Sequence, residues 1–156
     1  MSVYDIAQAI RDIVTATVPD TFQDVQFTSI RPGTGVEPLE WIKQPGRENR
    51  EFDVYVSELP SPGLGCESSV ELEIVIAYRM TNPEVLTRVL LAEDVSILQS
   101  AIRTEIATWS LVCDSLWPSG AATTEMVYDA DGRAVLQLAH IPLTAYFQAR
   151  RIQNGN

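Results

Sequence analysis

Ser69-Val-Glu-Leu-Glu-Ile-Val-Ile-Ala-Tyr-Arg-Met80 is the stretch whose reading decides the fold. Its even positions, Val70, Leu72, Ile74, Ile76, Tyr78 and Met80, are all apolar, while Ser69, Glu71, Glu73, Val75, Ala77 and Arg79 run from charged to mixed. Successive strand side chains point to opposite faces, so this spacing predicts a strand with one face committed to a core. At about 3.3 Å per residue it reaches roughly 40 Å, long for a strand. Thr81-Asn82-Pro83-Glu84 follows directly and carries the chemistry of a helix start. Asn82 can cap, Pro83 suits the first turn and Glu84 suits the positive end of the dipole. Val85, Leu86, Val89, Leu90, Ile97, Leu98, Ala101, Ile102 and Ile106 then keep helical spacing, as one helix or as two parted at Ala92-Glu93-Asp94.

Upstream, Val3, Ile6, Ala7, Ile10, Ile13 and Val14 predict a first helix that ends near Thr17 or Val18, with Ser2 and Asp5 as a capping box. A short strand is expected over Val25 to Ile30. Residues 31–50 hold Pro32, Gly33, Gly35, Pro38, Pro45 and Gly46, which predicts a long loop of the kind that is functional or ordered by a partner. Glu51 to Ser57 alternates again and predicts a strand paired with the central one, with 59–68 as a turn-rich hairpin tip. Near the end, Thr123 to Asp129 and Arg133 to Phe147 flank Ala130-Asp131-Gly132, a strong hairpin signal. The apolar parity of the last strand changes between Leu138 and Ile141, which predicts a bulge near His140, and Pro142 predicts an edge position. Together these give an α+β fold: an antiparallel or mixed sheet of about four to five strands, with an N-terminal helix and a long central helix packed on it. Residues 1–149 are expected to form a single domain and 150–156 a flexible tail.

The chain carries 21 acidic against 11 basic residues, a formal charge of −10. Nucleic-acid binders draw affinity from cations that neutralise phosphate, so this balance argues against DNA or RNA binding. No apolar run is long enough for a transmembrane helix. The N-terminal stretch carries Asp5 and no basic-then-apolar leader, which predicts a protein made and kept in a cytoplasm. Cys66 and Cys113 lie in unrelated contexts and give no zinc spacing; free thiols are expected.

Signals for chemistry fail one by one. His140, the sole histidine, sits mid-strand without a nucleophile motif, and is expected to be a packed strand residue. Asp129-Ala-Asp131-Gly132 opens like a calcium loop, but the twelfth position is His140 and not glutamate. Gly63-Leu-Gly65 lacks the third glycine of a dinucleotide fingerprint. Trp109 and Trp117 are expected in the core or at its rim. No catalytic residue, cofactor or metal is therefore assigned, and no enzyme activity is expected.

The order helix, strand, long loop, strand, strand, helix, hairpin resembles the tail terminator (tail completion) proteins of long-tailed, non-contractile phages, a siphophage minor tail protein family. The matching stretches are Arg50-Glu-Phe-Asp-Val-Tyr-Val56, Val70–Met80 running into Thr-Asn-Pro-Glu and a helix with Asp94, and Val127-Tyr-Asp-Ala-Asp-Gly-Arg133 through Ile141-Pro-Leu-Thr-Ala-Tyr146. They cover about two thirds of the chain as pattern and architecture, and no single residue is diagnostic. The resemblance implies a structural virion protein at the head-proximal end of the tail, assembled in the host cytoplasm as a homohexameric ring. Its partners would be the tail tube protein and the head-completion or neck proteins, with DNA passing through unbound. Under that implication Trp41, Lys43, Arg47 and Arg50 are candidates for a subunit or partner interface. Glu71, Glu73, Asp129 and Asp131 are candidates for the channel wall, where negative charge repels phosphate. The other readings left open are a different head–tail connector or tube-like component, and a small ligand-binding or enzyme domain.

Overall fold

The central strand, β3 (Glu67–Arg79), pairs on both sides along its length, in a computed structural model that describes residues 2–31, 37–62, 67–80 and 84–148. On one side lies β2 (Glu51–Pro62), and beyond it β1 (Thr28–Ser29), which runs parallel to β2. On the other side lies β6 (Ala134–Gln148), whose far edge is shared by β4 (Ser115–Pro118) and β5 (Thr123–Tyr128). The fold is α+β, with a mixed six-stranded sheet in which five strands form the main order β1-β2-β3-β6-β4. β1 is the short strand expected over Val25 to Ile30, here only 2 residues long, and the strand the sequence reading lacks is β4, whose 4 residues are too few for a periodicity to declare itself.

Two helices cover one face of this sheet. α1 (Val3–Ala16) buries Ile6, Ala7, Ala9, Ile10, Ile13 and Val14. Its N-terminus carries the expected capping box: the Ser2 hydroxyl accepts the Asp5 N–H at 3.1 Å, and the Asp5 carboxylate accepts the Ser2 N–H at 3.2 Å. Ser2→Ala is expected to cost about 1 kcal/mol in urea unfolding, the usual value of such a cap. α3 (Glu84–Thr104) is one unbroken 21-residue helix, so Ala92-Glu93-Asp94 does not interrupt it, and α4 (Ile106–Trp109) follows as a short turn. Residues 81–83, on which the cap reading rests, lie outside the described residues. Thr87, Leu90, Leu91, Asp94, Leu98 and Ile102 form the buried stripe of α3 and meet Leu72, Ile74, Ile76, Ile141 and Leu143 across the core. Trp109 is buried, and its indole N–H donates to the Ile102 carbonyl at 2.9 Å.

The opposite face is covered over only part of its length. Within 31–50, where a loop without regular structure is expected, residues 38–42 form α2 (Pro38–Ile42), with Pro38 in the first turn. Leu39 and Ile42 pack on Val75, Ala77, Leu136 and Leu138 as a second, smaller core. That second core explains the parity of β6. No bulge exists near His140: β6 pairs with β3 in unbroken register from Glu67↔Gln148 to Arg79↔Leu136. Leu136 and Leu138 face α2, whereas Ala139, Ile141 and Leu143 face the main core, so both faces are apolar in turn.

Pro142 is not on an outer strand, since β6 is interior. It falls where β5 pairing has ended at Thr123↔His140 and β4 pairing has yet to begin at Pro118↔Leu143. Its carbonyl accepts the Ser119 N–H at 3.0 Å. A residue's N and C=O share one side of a strand, so the missing donor faces the gap and removes no ladder bond.

The hairpin of β2 and β3 also differs from expectation. β2 continues to Pro62 and β3 resumes at Glu67, so the tip is shorter than 59–68, and 63–66 lie outside the described residues. Register shifts at Val56/Glu58 and Glu58/Ser61 accompany the prolines on an edge that, past Phe52, pairs with no other strand among the described residues. Arg11 of α1 reaches over that edge: its guanidinium donates to the Val54 carbonyl at 2.9 Å and to Asp53 at 3.2 Å. The closing hairpin is as expected, with Gly132 at φ +77 and the Asp129 carboxylate accepting the N–H groups of Asp131 and Arg133 at 3.0 and 2.9 Å.

Candidate functional site

Two polar constellations stand on this frame, and the first is entirely internal. Arg50 precedes β2 in a left-handed backbone conformation, φ +66, rare for a residue with a side chain. The turn pays its backbone well: the Arg50 N–H donates to Ala77 at 2.9 Å and its carbonyl accepts Thr28 at 3.0 Å. The side chain then runs into the interior. Nε and one terminal nitrogen donate to the two Asp94 oxygens at 2.8 and 3.0 Å, and the remaining hydrogens go to the carbonyls of Thr21, Phe22 and Val25 at 2.6, 2.7 and 2.7 Å. A guanidinium has five N–H donors, and each here has an acceptor. The Tyr78 hydroxyl donates to Asp94 at 2.9 Å, and the guanidinium carbon lies 5.6 Å over the Phe27 ring. Burial first, and the Asp94 carboxylate second, push the Tyr78 phenol well above its ordinary range, so it stays a neutral donor.

Arg50 is therefore removed from the candidate interface set. Both side chains of the pair are 1% exposed, which leaves nothing to offer an acidic neighbour. Its work is to hold the segment after α1 (Thr21–Val25) to β2, β3 and α3 at once. The sequence held a readable signal for this: Asp94 occupies the buried stripe of α3 between Leu91 and Leu98, and a buried carboxylate needs a cation.

The second constellation crosses four adjacent strands on the α2-bearing face. Lys43, the C-cap of α2, meets Glu125 of β5 at 2.9 Å. Glu125 meets His140 Nε2 of β6 at 2.9 Å, and His140 Nδ1 stands 3.4 Å from Glu73 of β3. Tyr55 of β2 closes the row by donating its hydroxyl to Glu73. The relay thus brings together Lys43 and Glu73, which the sequence placed at opposite kinds of surface, an interface and a channel wall. His140 is packed in the strand as expected. Burial first, then the Glu73 hydrogen bond and charge, push the Tyr55 phenol far up. Burial alone would raise the Glu125 carboxyl, but hydrogen bonds and charge from Lys43 and His140 outweigh it and hold it below its ordinary 4.5.

The sign of the pH effect follows. A carboxyl whose folded pKa lies below its unfolded value adds stability that is present above the unfolded pKa and lost as pH falls through the folded one. The urea midpoint of the native protein minus that of Glu125→Gln is expected to be positive at pH 7 and to shrink toward zero below about pH 4. A gap that stays constant from pH 7 to pH 3 would show that the carboxylate charge is not what holds the relay.

The remaining candidates scatter. Arg47 stacks on Trp41 at 4.9 Å, and its Nε is 3.7 Å from Glu51, too long for a hydrogen bond. The Trp41 indole N–H is buried and finds no acceptor among the described residues. Glu71 accepts the Thr144 hydroxyl at 2.7 Å, Asp129 is spent in its turn, and Asp131 is exposed. Beyond α2 the sheet face lies open, with Trp117 and Tyr146 at 52% and 39% exposure, so Trp117 is a surface residue and not a core one. Cys113 is free and buried; burial and then Asp114 push its thiol up to about 11, which leaves it unreactive at neutral pH. Cys66 lies outside the described residues.

Among the described residues no group of three His, Cys, Asp or Glu is placed to hold a metal ion, and no helix is long and apolar enough to cross a membrane. A cavity of about 520 Å³ lies between α1 and α3, away from His140. No protein-family model matches the chain, and no curated protein matches it significantly.

Proposed function

We propose that this chain is a tail terminator subunit of a long-tailed, non-contractile phage, a structural virion protein without enzymatic activity. In this reading it closes into a homohexameric ring on the last ring of the tail tube, ends tube elongation, and presents its other side to head-completion or neck proteins while DNA passes through. The supporting observation is the long antiparallel run β2–β3–β6, with α1 and α3 on one face and half of the other face left open among the described residues. That open half carries Trp117 and Tyr146, and it adjoins a β2 edge that, among the described residues, meets no further strand past Phe52. Open edges and exposed aromatic side chains are what proteins otherwise cover, and assembly covers them. Two different faces of one subunit are needed, because a closed ring uses heterologous contacts. The charge of −10 suits a passage for DNA.

Negative-stain images of the purified protein, alone and mixed with tail tube subunits, test the reading. Six-fold rings, and tubes that stop growing when the protein is added, are expected; monomers in both samples together with unchanged tube growth would sink it. Within the interface set, Arg47→Glu is the informative change. It is expected to shift sedimentation toward smaller species, and unaltered sedimentation would take Arg47 out of the contact.

A further inference from the structure

The α2-bearing face of the sheet is left unsatisfied at both of its ends, in opposite senses. At one end Glu58 of β2 stands directly opposite Glu71 of β3, and Thr144 and Trp117 complete the row across β6 and β4. Like charges placed directly opposite each other destabilise a sheet. Among the described residues neither carboxylate meets a lysine or arginine: Glu71 has the Thr144 hydroxyl, and Glu58 is exposed. Trp117, two strands and so about 10 Å from Glu71, is 52% exposed.

The other end lies about 26 Å away, along β3 from Glu71 to Arg79. There a cavity of about 240 Å³ is walled by Arg47, Arg79, Met80, Val135 and Leu136, and its described lining holds no carboxylate. Arg47 is held by stacking on Trp41, and its Nε is buried without an acceptor, too far from Glu51 at 3.7 Å. Arg79 gives one terminal nitrogen to Glu48 at 3.0 Å, and among the described residues the rest of its guanidinium is uncommitted. One end thus has carboxylates that lack a cation, and the other has guanidinium donors that lack an acceptor.

We propose that the two ends satisfy each other between copies of this chain. Trp117 of one subunit enters the Arg47–Arg79 cavity of the next, and Glu71 and Glu58 beside it meet the two guanidinium groups. Tryptophan and arginine are the side chains that most often carry the binding energy of an interface. A guanidinium stacks on an indole face, and its planar fork fits a carboxylate. The two patches are different surfaces of one subunit, so the contact is heterologous and repeats from copy to copy. Its closure into a ring rests on the ring reading; the contact and the residues that make it go beyond that reading.

Sedimentation velocity over a concentration series tests this with three variants: Arg47→Glu/Arg79→Glu, Glu58→Arg/Glu71→Arg, and the chain that carries all four changes. The native protein is expected to associate, and each pair reversal to weaken association about tenfold, since ion pairs are lost and repulsion is gained. The chain with all four changes exchanges the charges on both sides of every contact and should associate again. An equimolar mixture of the two pair-reversed chains should do the same, because alternating copies then match at every contact. Recovery on exchange or mixing separates a lost contact from a lost fold. Native-like association of either pair-reversed chain would overturn the proposal, and so would a four-change chain and a mixture that both stay as weak as the pair reversals. A native protein that stays monomeric when alone would also overturn it, while the ring reading is still judged on the tail tube. Rings that stop tube growth but ignore the charge reversals would keep that reading and remove this contact.

Discussion

Asp94→Ala is expected to lower the unfolding free energy by about 3–5 kcal/mol, read as a fall in the urea midpoint at unchanged slope. The loss is large because the substitution strands a guanidinium that is 1% exposed and cannot rotate to water. It also removes the acceptor of the Tyr78 hydroxyl, whereas Tyr78→Phe alone should cost only about 1–2 kcal/mol. A second variant separates charge from packing. Where a buried pair is merely tolerated, replacing both members with apolar residues is neutral or stabilising. Here Arg50→Met/Asp94→Leu should recover only part of the loss, because the carbonyls of Thr21, Phe22 and Val25 would be left without a donor. Full recovery to native stability would mean that those carbonyls find water, and that Arg50 is not the tie between the segment after α1 and the sheet.

Ile10→Ala is the second large effect, expected at about 2–5 kcal/mol. Ile10 is fully buried at the middle of α1, in the core that α1 shares with α3, α4 and the sheet. Leu111→Ala, by contrast, removes a side chain that is 82% exposed and should stay within about 0.5 kcal/mol of native. Thermal unfolding of both variants side by side checks the contrast. Equal shifts would mean that α1 is loosely held, and that the core is built by β3 and α3 without it.

Much of this fold was legible because its main elements are long and periodic. The alternation of Val70 to Met80 and the three-and-four spacing of α1 and α3 could each be satisfied by one kind of element. Asp129 to Gly132 specified its turn by local hydrogen bonding alone. What local reading missed were elements whose pattern is shorter than a period. β4 has 4 residues and α2 has 5, and α2 hid in a proline- and glycine-rich stretch because only Leu39 and Ile42 mark its apolar side. The parity change in β6 was visible, but its cause was not. A bulge and a second core give the same string of letters, and only the presence of α2 above Leu136 and Leu138 distinguishes them.

The sequence by itself determined the α+β class, the strand at the centre, the two long helices packed on the sheet, the closing hairpin and the negative charge. Each follows from periodicity, capping or composition, which act within a few residues of one another. Tertiary structure alone decided which charges are surface and which are structure. Arg50 and Asp94 are separated by 44 positions and meet at 2.8 Å. Lys43, Glu125, His140 and Glu73 come from one helix end and three strands. Whether a charged side chain is offered to a partner or consumed inside depends on what the rest of the chain packs against it, and no local pattern carries that information.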